Sequence, residues 1–164
     1  MSSKRLGVLS GSLICVALMI GVVQAAAATP TKVLKFFNPP GVQISVGFSE
    51  NSNTPPPVGA SQVIQVVLEN VGSQFGKPSG TKVGHVLIDC TVLLADPSAQ
   101  RFDGICSGIA HVPDGYITFG GNGGFGNGKV NYYAITGGVG HYAKDRGEIR
   151  TVKGGGATVT LYSP

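Results

Sequence analysis

Several residues in this 164-residue sequence have the types and spacing to do chemistry, and most lie on two long alternating runs, 82–95 and 102–112. His85, Asp89 and Cys90 stand on the first run, and Cys106, Ser107 and His111 on the second. If the runs form one hairpin turning about Ser98, opposite residues sum to 196. Cys90 then faces Cys106, His85 faces His111, and Asp89 faces Ser107. Alternation puts His85, Asp89, Ser107 and His111 on one face, with Val86, Ile88, Cys90, Val92 and Cys106 on the other. A polar face turned inward is an acid–base group in which Asp89 orients an imidazole. Turned outward, it is a solvated wall. Both placements are open from sequence.

Tyr132 and Tyr133 occupy adjacent strand positions, so one points inward whichever face is the core. We assign Tyr133 to that role. Its hydroxyl either donates to a developing oxyanion or carbonyl, or is satisfied within a packed aromatic core. The catalytic candidates are therefore Tyr133, Asp89, His85 and His111. Arg146, Glu148 and Arg150 alternate onto one face and read as a solvated wall. The sequence contains no G-x-S-x-G, no HExxH, no CxxC and no clustered His/Cys spacing, so we assign no metal and no cofactor.

The elements that must position these residues are strands. Glycine accounts for 26 of the 164 residues, and charged residues make up 12 %. So few charges exclude acidic disorder and a long coiled coil, and glycine without a three-residue period excludes collagen. Residues 33–37, 42–48, 62–70, 82–95, 102–112, 116–119, 130–135, 147–152 and 157–162 read as strands. Asn38-Pro39-Pro40-Gly41, the 50–57 stretch and 72–80 read as breaks or loops, and Pro113-Asp114-Gly115 as the clearest hairpin turn. The glycine-rich stretch Gly120–Gly128 reads as a rim loop. No stretch of three turns carries apolar residues at helical spacing. An all-β chain that closes into an eight-stranded antiparallel barrel removes the edges that so few charges would guard poorly.

The N-terminus has a separate purpose. Lys4 and Arg5 precede the apolar run 13–23, which ends in Gln24-Ala25-Ala26-Ala27-Ala28. A basic start, a short apolar centre and small residues at the end are the parts of a secretory signal peptide. The run is too short to span a membrane, which takes about 20 residues. We expect cleavage between Ala25 and Ala28, with 1–28 as signal and 29–164 as one barrel domain. We therefore place the protein outside the cytoplasm, extracellular or periplasmic, with no membrane attachment after cleavage. Removing Lys4 and Arg5 from 12 basic residues leaves 10 against 8 acidic ones, with no basic cluster. That gives nucleic acid no electrostatic footing. Cys15 leaves with the signal, so the mature chain keeps two cysteines, which in an oxidising compartment predicts a Cys90–Cys106 disulfide.

The segment Ala134-Ile135-Thr136-Gly137-Gly138-Val139-Gly140, followed by His141-Tyr142 and Gly147-Glu148-Ile149, resembles the AITGG-x-G signature of the allene oxide cyclase/dirigent-like barrel superfamily. The likeness covers roughly Val83 to Leu161. It implies an eight-stranded barrel with a hydrophobic lumen and allows for a homo-oligomer. It also implies a cofactor-free isomerase or cyclase, or a protein that directs stereochemistry. The glycines Gly137, Gly138 and Gly140 are expected to reverse the chain through positive φ, with Tyr142 covering the barrel end. Asp145 stands where the signature has a small residue. The function expected is binding of a small hydrophobic substrate in the lumen. The alternatives are a non-catalytic carrier of such a molecule and a structural secreted barrel filled by its own side chains.

Overall fold

The computed structural model describes residues 29–39, 44–48, 56–96, 101–125, 129–152 and 155–164. The expected signal segment 1–28, the expected turn about Ser98 and the end of the Gly120–Gly128 stretch lie outside these. Nine strands follow one another: β1 Lys32–Phe37, β2 Ile44–Gly47, β3 Ser61–Asn70, β4 Lys82–Asp96, β5 Arg101–Val112, β6 Gly115–Phe125, β7 Val130–Gly140, β8 Arg146–Val152 and β9 Gly156–Tyr162. Every pairing is antiparallel. From β3 to β9 each strand pairs with the next, and β1 closes the circle by pairing with both β9 and β3.

Nine segments make eight barrel positions because β1 and β2 share one. Phe36 and Phe37 pair with Asn70 and Glu69, and further along the same β3 edge Ile44–Gly47 pair with Gln65–Gln62. β1 ends at Phe37, just before Asn38 and Pro39, and proline supplies no ladder donor. The fold is thus the expected eight-stranded barrel, with one wall position interrupted.

Alternation builds the core. Along β3, Gln62, Ile64, Val66, Leu68 and Asn70 are buried, while the residues between them are exposed or half-buried. Other strands contribute Val92, Ile117 and Leu161, each fully buried. The β4–β5 register is the one read from the sequence, with Cys90 opposite Cys106, His85 opposite His111 and Asp89 opposite Ser107. A bulge between Val92 and Leu94 then moves the register by one before the turn.

Two glycine segments differ from expectation. Gly120 to Phe125 is not rim loop but the second half of β6, paired with β5 from Ser107 to Phe102. Glycine offers no side-chain alternation to read, yet its backbone completes the ladder. Gly137 and Gly138 likewise lie within β7 and do not reverse the chain, and of the three signature glycines only Gly140 has positive φ, at 71°. Gly138 is required for a different reason. A Cβ there would sit 2.6 Å from the Tyr142 carbonyl oxygen and 2.8 Å from that of Tyr116.

Candidate functional site

The inner face of the barrel encloses a cavity of about 60 Å³. Phe36, Val66, Val86, Phe119, Tyr133 and Val159 form its body, while Asn38 and Thr151 add polar atoms. Asn38 directly follows β1, and Thr151 pairs with Ala157 near the start of β9, so both lie beside the interrupted wall position. Asn38 Oδ1 is buried and has no hydrogen-bond partner. In the sequence Asn38 carries no sign of this place, because Asn-Pro-Pro reads as a stop. Its place in the lining follows from β1 ending at Phe37 in the closed barrel.

Tyr133 points inward as assigned, and its ring tilts against Phe119 with centroids 5.5 Å apart. Tyr132 faces out and is exposed. Cys90 and Cys106 also face inward, joined by a disulfide across directly opposed positions. A Cβ on Gly123 would lie 2.8 Å from Cys106 Sγ and 3.1 Å from Tyr133 Oη. The absent side chains of β6 therefore make the room that the tyrosine and the disulfide fill. On the chain-entropy model, a loop of about 15 residues closed this way contributes roughly 3 kcal/mol.

The other catalytic candidates are not in the lumen. Asp89, Ser107 and His111 are exposed and His85 is half-buried, all on the outer wall. His85 and His111 stack with centroids 4.8 Å apart, and His111 tilts against Tyr116 at 5.7 Å. Asp89 and Ser107 line a shallow outer groove beside Val63, Leu87 and Ile109. Cys90 and Cys106 take the inner face, so strand alternation leaves the polar set no route inside. Of the two placements open from sequence, the solvated outer wall is therefore the one found, and the lumenal acid–base group of His85, Asp89 and His111 is not assembled. Arg146, Glu148 and Arg150 are exposed, as the wall reading requires.

One end of the barrel is sealed. Tyr142 is 1 % exposed and its hydroxyl donates to the Pro113 carbonyl at 3.1 Å. Burial, with the charges of Asp114 and Asp145 adding to it, pushes its pKa up to about 12. The Lys32 ammonium sits over both Tyr142 and Phe75, 5.2 and 5.5 Å from the ring centroids. Asp145, the departure from the signature, is buried and accepts from Ser163 Oγ at 2.7 Å, tying the C-terminal segment to this floor. Near the other end, Gln62 donates through Nε2 to Ser45 Oγ at 2.6 Å and the Phe48 carbonyl at 2.9 Å, fastening β2 to β3.

No family model matches the sequence, and no curated protein matches it. Solved structures do. A pyocyanin demethylase superposes with a TM-score of 0.56 at 20 % identity, covering 79 % of this chain and 98 % of that one. A nonspecific heme-binding cyclase described as catalysing a cycloaddition in neoabyssomicin biosynthesis gives 0.58 at 14 % identity, over 81 % of this chain and 64 % of that one. A pterocarpan synthase dirigent protein gives 0.47 at 16 % identity, over 79 % of each chain. At these identities the likeness establishes the barrel. The barrel shared with the cyclase agrees with the fold that the Ala134–Gly140 segment implied, while no family model bears on the segment itself.

Proposed function

We propose that this chain is exported and that its barrel takes a small hydrophobic molecule into the lumen. The observation that carries the reading is the apolar cavity, lined by carbon-rich walls with polar atoms gathered at one end. Its volume of about 60 Å³ is below the roughly 150 Å³ that admits benzene elsewhere. A ligand therefore enters by displacing wall side chains. The interrupted position yields most readily, since β1 meets β3 through two residue pairs alone. That two proteins of this fold are described as a demethylase and a heme-binding cyclase supports a small-molecule occupant.

The chemistry such a lumen supports is conformational restriction of an apolar molecule against walls such as Phe119 and Tyr133. Isomerisation, cyclisation or stereochemical direction of an apolar substrate fits that provision and needs no cofactor. A non-catalytic carrier is the second reading. It is favoured by one observation: among the described residues, no carboxylate or imidazole lines the cavity. Turnover of a bound substrate, against binding without turnover, separates the two.

The test is uptake of a hydrophobic fluorescent probe by the mature protein, with the melting temperature followed in parallel. Probe binding that raises the melting temperature is the expected outcome, because a ligand of the folded state stabilises it by mass action. A protein that takes up no hydrophobic probe of any size is a structural barrel with a filled lumen. Export is tested by N-terminal sequencing of the secreted protein. The expected start lies between Ala26 and Thr29, and a chain beginning at Met1 overturns it.

A further inference from the structure

We propose that the molecule held in the lumen carries a neutral hydroxyl group, bound by the Asn38 carboxamide; this rests on the lumen being a ligand site. Buried polar atoms are almost always hydrogen-bonded, and an exception in a folded protein calls for an explanation. Asn38 Oδ1, Gln62 Oε1 and Asn70 Oδ1 are such exceptions. Two of them belong to amides already fixed by the fold. Gln62 Nε2 is held by Ser45 and the Phe48 carbonyl. Asn70 Nδ2 reaches the carbonyls of Gln74 and Lys77 at 2.9 and 3.2 Å, where it organises the 71–80 loop. Neither residue lines the cavity, whereas Asn38 does.

The chemistry of the wall narrows the partner. Among the described residues, the lining apart from Asn38, Thr151 and the Tyr133 hydroxyl is hydrocarbon, which favours a ligand with one polar end. No lysine or arginine among the described residues lines the cavity to pair a carboxylate or phosphate, and an unpaired charge in such a place is strongly disfavoured. A carboxamide presents a donor at one end and an acceptor at the other, and a hydroxyl both donates and accepts. A hydroxyl therefore suits Asn38 in either amide orientation. With that group at the interrupted wall, the apolar body lies toward Phe119 and Tyr133.

The test is an NMR titration of the isotope-labelled secreted protein with three probes of similar size: cyclohexanol, methoxycyclohexane and methylcyclohexane. A net neutral hydrogen bond is worth a few-fold to about tenfold in affinity. Cyclohexanol should bind tighter than the other two by roughly that factor and shift the Asn38 side-chain amide resonance. Asn38→Leu should lose the preference for cyclohexanol and bind all three probes alike. Equal binding of the three probes to the parent protein, with the Asn38 amide unmoved, overturns the hydroxyl and leaves the lumen as a ligand site. Failure of all three to bind overturns both.

Discussion

Tyr142 shows how much one side chain contributes at the closed end. Its ring is buried beneath Lys32, and its hydroxyl must stay protonated to donate to the Pro113 carbonyl. The pKa, pushed up from 10.0 to about 12, fixes the sign of the pH effect. Below pH 10 the folded and unfolded states hold the same proton, so this residue's contribution is fully present. Between pH 10 and 12 the unfolded chain releases it while the folded one retains it, and stability falls as pH rises. Chemical denaturation across pH 8–12 should show that decline, and Tyr142→Phe should flatten it. The variant should also lose about 1 kcal/mol at neutral pH, the usual net value of a neutral hydrogen bond. An unchanged slope in the variant would assign the decline to other groups. The neighbouring Asp145 had no account in the sequence. Its acceptor role becomes visible once β9 returns Ser163 to the same floor.

Among the elements, β4–β5 was legible and β6 was not, for opposite reasons. In β4–β5 the side chains specify the register, because two cysteines and two histidines fall at the same sum and the apolar face alternates. In β6 the run Gly120-Gly121-Asn122-Gly123-Gly124 offers no such pattern, and its neighbours impose the strand. The inner face there is built by Tyr133 and the disulfide reaching across the glycines. The same logic separates one glycine from another. A methyl at Gly138 would meet two backbone carbonyl oxygens within 2.8 Å, which cannot move without opening β6 from β7. A methyl at Gly120 would have its nearest neighbour at 3.5 Å, an ordinary contact. Gly138→Ala should therefore cost about 1–3 kcal/mol, as overpacking does. Gly120→Ala should be neutral or stabilise by about 0.5 kcal/mol through the unfolded state. Urea denaturation of the two variants decides this, and equal effects would mean that β7 is not held this close to β6.

At the scale of the whole molecule, the barrel is closed unevenly. β1 pairs with β9 through six residue pairs but with β3 through only Phe36–Asn70 and Phe37–Glu69. β2 covers the rest of the β3 edge with four pairs, and all four of its residues are exposed. By contrast, β5 pairs with β6 through eleven consecutive residues and is cross-linked to β4 by the disulfide. Local opening costs little where few apolar contacts are buried and much where a strand is paired on both sides. The β1–β2 seam should thus open far more often than the β4–β5–β6 wall, and it borders the end of the cavity that holds Asn38. Native-state hydrogen exchange makes this measurable. The β2 amides bonded to β3 should exchange at least a hundredfold faster than those of 86–92 and 105–110, a difference of roughly 2.7 kcal/mol in opening free energy. A ligand in the lumen should slow the seam amides selectively, because it adds packing against Phe36 and a partner for Asn38. Uniform protection around the barrel would remove the seam as the entry route, and a ligand would then have to pass over the strand ends.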